Sequence, residues 1–220
     1  KTTTANGENK PVGAQVGLGV RNSAITSIFK QGSMLASESP TAFAITGEGF
    51  FALQGQDGET YYTRNGNFLF TTSQNGMMLA NSDGLPVLDT AGRPITLGTQ
   101  YVASKIKVNA DGQLTYPDAQ NNPQPIGIQI GLFQFTNPSG LEKVDSTMYQ
   151  ASAASGAAIN EANNNNVRKS EVIQGYLEGS SVQVADEMVN LIVAQRAYEM
   201  NSKAITTTDE MLQQANQLKR

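Results

Sequence analysis

From Ala42 to Phe135 short apolar or aromatic runs alternate with turn-forming residues. The runs are Phe50-Phe51-Ala52-Leu53, Tyr61-Tyr62-Thr63, Phe68-Leu69-Phe70 and Met77-Met78-Leu79. Beside them stand Asp57-Gly58, Asn65-Gly66, Asn75-Gly76, Asp83-Gly84 and Asp111-Gly112. Tight primed hairpin turns need positive φ, which Asn, Asp and Gly tolerate best. This spacing has no place in helices and predicts an antiparallel meander of short strands. Lys105-Ile106-Lys107-Val108 alternates polar with apolar, as a half-buried strand does. Ile126, Ile128, Ile130 and Leu132 share one face at period two. The phase then slips to Phe133 and Phe135, which predicts a bulge or strand end near Leu132. Pro86, Pro94, Pro117, Pro123, Pro125 and Pro138 fall at expected edges and turns.

The period changes from 2 to 3.6 after Ser181. No Gly or Pro occurs from Val182 to Arg220, and helix formers dominate. Asp186 and Glu187 in the first turn and Lys219 and Arg220 at the end both suit a helix dipole. Ser181 and Gln183 are both candidates for the N-cap. A helix from Val182 to Leu218 is predicted, roughly 55 Å long at 1.5 Å per residue. Leu191, Ala194, Tyr198, Asn201, Ile205, Thr208, Leu212 and Ala215 follow a 3-4 spacing, which is a heptad seam. Ala197, Met200, Ala204, Met211 and Leu218 widen it into an arc broader than a two-stranded coiled coil needs. An isolated helix is marginal in water, so such an arc requires a partner. The partner is the β-domain, a segment outside this sequence, or another copy of the chain. The helix is longer than a domain of this size is wide, which argues against the first.

The expected organisation is an extended lead-in over 1–20, a β-rich domain over 21–144, an extended return segment over 145–180 and a C-terminal amphipathic helix over 181–220. Within the return segment, residues 145–170 lose the β pattern and read as a poorly packed connector. The fold class is therefore mainly β with a long C-terminal α-helix. Met188, Leu191, Ala194, Gln195, Tyr198, Asn201, Ile205, Leu212 and Ala215 are the candidate assembly interface. Asn201 is a polar residue within the seam, a position that costs stability but can fix register.

Charge changes the picture by exclusion. Charged residues are 15% of the chain and apolar residues 39%, with net charge −4. A surface with few charges to desolvate tolerates close packing against neighbours. Arg168-Lys169 and Lys219-Arg220 are the only basic clusters, too short for the basic stripe of a nucleic-acid binder. The chain has no Cys and no His. Disulfides, thiolate metal sites and the commonest general base are thereby excluded. No apolar run reaches the length of a membrane span, and Lys1 to Gly7 lacks the apolar core of a secretory signal.

Catalytic patterns are weak. Gly17-x-Gly19 would place its third glycine at position 22, which is Asn22. Asp186-Glu187 and Asp209-Glu210 are adjacent on a helix and do not face one another. Asp83 and Asp111 could ligate calcium, but their place in Asp-Gly turns already explains them. No cofactor and no small-molecule substrate is expected.

A resemblance sharpens the reading. Gly175-Tyr176-Leu177-Glu178-Gly179-Ser180-Ser181-Val182, the stretch Glu187 to Glu199 with its Ala194-Gln195-Arg196-Ala197-Tyr198-Glu199, and Asp209-Glu210-Met211-Leu212 resemble the C-terminal signature of bacterial flagellar rod and hook proteins, the distal-rod type above all. Gly17-Leu18-Gly19-Val20, Phe29-Lys30-Gln31-Gly32, Ala44 to Phe51 and Tyr62-Thr63-Arg64-Asn65-Gly66-Asn67-Phe68 resemble the β-domain of that family. The resemblance implies a structural, non-enzymatic subunit that assembles helically into a hollow drive shaft. Its implied partners are copies of itself, other rod and hook subunits and, where the host has them, periplasmic bushing rings. The implied location is the basal body outside the cytoplasmic membrane, reached by export without a cleaved signal. Family members begin with a long helix carrying an Asn-rich motif that this sequence lacks, so that helix is expected upstream of Lys1. The other readings are a hook or hook-associated protein and a β-rich surface adhesin with a helical stalk.

Overall fold

The computed structural model describes residue 21, residues 26–73 and residues 76–218. The expected lead-in, the Gly17-x-Gly19 pair, Asn75 and Lys219-Arg220 lie outside the described residues. Strands β1 (Met34–Ala36), β2 (Phe43–Thr46), β3 (Phe50–Gln54), β4 (Thr60–Thr63), β5 (Leu69–Ser73), β6 (Gly76–Ala80) and β7 (Thr96–Leu97) come first. They are followed by β8 (Lys107–Val108), β9 (Gln113–Pro117), β10 (Pro123–Gln129), β11 (Leu132–Gln134) and β12 (Glu142–Lys143). Next come β13 (Tyr149–Gln150), β14 (Ile159–Asn160), β15 (Glu171–Gln174) and β16 (Tyr176–Glu178), and then helix α1 (Val184–Leu218).

The strand pairs are antiparallel. Local hairpins β3–β4, β5–β6, β8–β9, β9–β10 and β12–β13 supply the predicted meander. Long-range pairs close it: β2 with β15, β1 with β16, β3 with β11, β11 with β14 and β4 with β13.

Strand β3 shows why its sequence reads as an unbroken apolar run. It lies inside a six-stranded sheet of order β12-β13-β4-β3-β11-β14. Phe51 and Leu53 face one core, with Phe43, Phe68 and Val87. Phe50 and Ala52 face another, with Tyr62, Phe135 and Leu141. A strand covered on both faces needs no polar alternation. Aromatic rings meet edge to face in both cores, Phe51 on Phe68 at 5.1 Å and Tyr62 on Phe135 at 4.8 Å.

Several turns share one hydrogen-bond frame. In Asn81–Leu85, Asp89–Arg93, Asn109–Gln113 and Asp118–Asn122 the first residue donates to the fifth carbonyl and accepts from the fourth N–H. Gly55–Glu59 repeats it. The fourth residue has positive φ: Gly58, Gly84, Gly92, Gly112 and, without glycine, Asn121 at 64°. This is a three-residue loop with a bulge, not the two-residue primed turn expected from Asx-Gly pairs. Asn81, Asp89 and Asp118 each accept two further backbone N–H bonds on Oδ1, which fixes the turn from its first position. Asn65-Gly66 is different again. A Cβ at Gly66 would run into the Phe43 carbonyl oxygen, so this glycine serves a close backbone approach.

Two local expectations shift. The phase slip near Leu132 is a register irregularity between Pro125 and Gln129, where Gly127 takes φ 84°, followed by the Ile130 bridge to Asp89. Residues 145–170 are not poorly packed. Ser155, Glu161 and Ser170 are buried there, and β13 and β14 join the six-stranded sheet. Small residues and Asn concealed this: Met148 and Tyr149 pack on the two cores, and the rest of the segment is held largely by hydrogen bonds. Glu161 is a buried acceptor within it, taking hydrogen bonds from Ser170 N (2.6 Å), Ser170 Oγ (2.8 Å) and Gln134 Nε2 (2.9 Å).

Candidate assembly surface

Helix α1 begins at Val184, and the Glu187 N–H donates to the Gln183 carbonyl, which makes Gln183 the residue flanking the first turn. Asp186 and Glu187 occupy that turn, where negative charge is favoured. With 35 residues the helix is roughly 52 Å long. Every described side chain along it is exposed. Leu191, Tyr198 and Ile205 stand at 68%, 76% and 71% exposure. The β-domain therefore does not cover the apolar arc.

The candidate residues separate when placed around the axis at about 100° per residue. Leu191, Ala194, Tyr198, Asn201, Ile205 and Leu212 form one stripe, and Ala215 continues its slow drift. Met188 and Gln195 lie roughly a quarter turn off it. Gln195 is engaged within the helix, donating from Nε2 to Glu199 Oε1 at 3.1 Å. Thr208 lies on the stripe and returns its hydroxyl proton to the Ala204 carbonyl at 2.8 Å, leaving its methyl to face outward.

A feature outside the heptad reading is a reversal of the apolar side. From Val184 to Val193 the apolar residues Val184, Met188, Val189, Ile192 and Val193 centre on one side, and Asp186, Glu187 and Asn190 on the other. From Ala194 onward the sides exchange by roughly half a turn: the apolar arc now lies where Asp186 and Asn190 lay, and Arg196, Glu199, Lys203 and Glu210 take the former apolar side. The signal is present in the run Met188 to Ala194, whose side chains are apolar in nearly every direction.

The helix leaves the β-domain through a two-stranded neck, β1 on β16. At its base Glu178 Oε2 accepts from Arg64 Nε at 2.8 Å, with both side chains largely buried at 14% and 10% exposure. Glu178 Oε1 accepts from the Gly32 N–H at 2.9 Å and from Gln31 Nε2 at 3.2 Å. Arg64 also donates from one terminal nitrogen to the carbonyls of Gly47 and Gly49, both at 2.9 Å. Gln31 completes the ring, donating to the Ile45 carbonyl and accepting from the Gly47 N–H.

The turn aspartates Asp83 and Asp111 are accounted for by backbone geometry. Asp83 Oδ2 accepts from Asn81 Nδ2, and Asp111 precedes Gly112 at φ 79°.

With this geometry in place, the likenesses to known proteins fall on the same regions. Residues 173–218 match the family described as flagellar basal body rod FlgEFG protein C-terminal. Residues 44–116 match the flagellar hook protein FlgE/F/G D1 domain. The flagellar basal-body rod protein FlgG of Borreliella burgdorferi is 39% identical over 212 residues, covering 96% of this chain and 77% of that protein. That of Caulobacter vibrioides is 37% identical over 218 residues, covering 99% and 79%. The flagellar hook-basal body complex protein FlhP of Bacillus subtilis is 34% identical over 107 residues, 49% of this chain.

Proposed function

The chain belongs to the flagellar basal-body rod FlgG family, and on that premise we propose that it is a structural subunit of the distal rod. Copies pack helix against helix into an open array that carries torque to the hook. The observation that supports this most is the exposure of α1 along its whole length. Burying each Leu, Ile or Met of that face is worth about 1.5–3 kcal/mol, a gain the folded β-domain leaves unused.

The reversal of the apolar side fits an open array better than a closed pair. A helix apolar on one side over its first ten residues and on the opposite side thereafter is covered by different neighbours at different heights. Interfaces that are not self-complementary generate helical arrays when the rotation does not close. Met188, Leu191, Ala194, Gln195, Tyr198, Asn201, Ile205, Leu212 and Ala215 remain the proposed interface, with Val189, Ile192 and Val193 added. Met188 joins the early arc, and Gln195 sits at the border of the later one.

Other rod and hook subunits are the proposed further partners, with bushing rings around the β-domain where the host has an outer membrane. The subunit works outside the cytoplasmic membrane, is exported without a cleaved signal, and catalyses no reaction. An adhesin with a helical stalk would form a closed dimer or trimer. Electron microscopy of the natural gene product over a concentration series separates the two. Growing, open-ended assemblies are expected; discrete particles of one size at every concentration would refute the rod reading.

A further inference from the structure

We propose that Arg64 and Glu178 are positioning residues that set the direction in which the helix leaves the β-domain. The inference rests on the rod-subunit reading only for the purpose the direction serves; its physical content concerns the dispersed subunit. One carboxylate, that of Glu178, ties together both strands of the neck. It lies at the end of β16 and accepts from the Gly32 N–H and from Gln31 on the segment leading into β1. Arg64 then fastens that carboxylate to the β2–β3 loop through the carbonyls of Gly47 and Gly49. The guanidinium lies 5.8 Å from the centre of the Phe50 ring, so the fastening stands directly on the aromatic core.

The chemistry requires an arginine. Its planar fork supplies Nε to the carboxylate and a terminal nitrogen to the two carbonyls at once, which the single ammonium of lysine cannot reproduce. Steric fit supports the same point. A Cβ on Gly32 would strike the Gly179 carbonyl oxygen, so the two segments are held at backbone contact next to the ion pair. Beyond Gly179 only Ser180 to Gln183 separate the latch from the helix. A change of angle at the neck reaches α1 through these four residues, where the Val182 N–H donates to Ser180 Oγ.

The chain has no cysteine, so two introduced cysteines report cleanly. One nitroxide on the β-domain at Gln124→Cys and one on the helix at Ser202→Cys give the distribution of distances between the two parts. In R64K and in E178Q the distribution should broaden, and hydrogen exchange at the Ser37 and Gly179 amides, which bond across the neck, should accelerate at least about tenfold, because E178Q leaves the largely buried Arg64 charge unmatched and R64K keeps the charge but loses the fork that holds carboxylate and carbonyls together. Exchange at Phe51 and Leu53 in the core should not change. G32A should broaden the distribution without touching any charge, and R93A, which removes the Asp89 ion pair and touches neither strand of the neck, should leave it as in the parent. An unchanged width in R64K and E178Q, or a parent distribution that is already as broad as theirs, overturns the assignment. Because all readouts are taken on dispersed subunits, a failure to assemble leaves this result standing.

Discussion

Single residues here are constrained by backbone proximity and by hydrogen bonds more than by volume. Gly66 is the clearest case. The Phe43 and Phe68 N–H groups both donate to its carbonyl, and its Cα lies against the Phe43 carbonyl with no room for a methyl. Gly66→Ala should lower the unfolding free energy by about 1–3 kcal/mol through displaced backbone, measured by urea titration. An effect within experimental error would show that the Phe43 carbonyl leaves room for a methyl at position 66. Glu161→Gln should cost a similar amount, about 1–3 kcal/mol, because an amide nitrogen must then face the Ser170 N–H or the Gln134 amide.

Asp118 provides a pH-dependent case at the same scale. The Asn122 N–H, first among its partners, and then the Gln124 amide and the Gln120 N–H, hold its carboxyl below the usual range. A depressed pKa means the folded state favours the charged form. The turn is therefore fully supported above the ordinary aspartate value of about 3.9 and weakens as pH falls below it. Exchange at Gln120 and Asn122, corrected for intrinsic rate, should be flat from neutral pH down to about that value and rise beneath it. Asp118→Asn keeps the acceptor and should remove the pH dependence.

At the scale of elements, α1 and the β-domain are separable in energy. Leu191→Asp or Ile205→Asp changes a side chain already in water, so the melting temperature of the β-domain should move by no more than about 0.5 kcal/mol would move it. Assembly should suffer instead. Losing one buried aliphatic contact and adding a charge to the interface should raise the concentration at which assemblies appear more than about tenfold, read by light scattering. If Ile192→Asp and Ile205→Asp act with equal strength, both arcs are covered; an effect confined to Ile205 would leave the early arc facing solvent.

The helix was the most legible element, because thirty-five residues at period 3.6 without Gly or Pro leave little choice. The β-domain was legible in class and in its hairpins, since strand and turn residues are local signals. Its closure was not. The pairing of β2 with β15, register Glu171 on Thr46 through Gln174 on Phe43, joins segments whose sequences carry no mark of one another. Turn residues suggested hairpins but not their frame, because Asx-Gly serves two-residue and three-residue loops alike and only the position of the positive-φ residue decides. The proposed assembly surface was legible only in part. The seam from Leu191 to Ala215 stands out by spacing, while the opposite arc is masked by the apolar run that contains both. The neck was invisible, since Arg64 and Glu178 are ordinary surface residues until long-range pairing buries them together.

For the whole molecule, the low charge and the exposed helix together fix how association should respond to conditions. Among the described residues the ion pairs on α1 reduce to Arg196 with Glu199 at 3.6 Å, largely in water, a kind of pair worth little. The proposed association of α1 with neighbouring copies then rests on apolar burial, which is entropic near room temperature and weakens on cooling. Assembly should consequently be favoured by sulfate, which is excluded from protein surface, and should reverse partly between room temperature and ice, followed by turbidity and by the rise in helical circular dichroism as fraying ends are captured. Moderate sodium chloride should change little. Strong dissociation by sodium chloride with indifference to cold would mean that charges, not the apolar arcs, hold the copies together. The helix would then be a spacer whose exposed leucines and isoleucines serve something other than its neighbours.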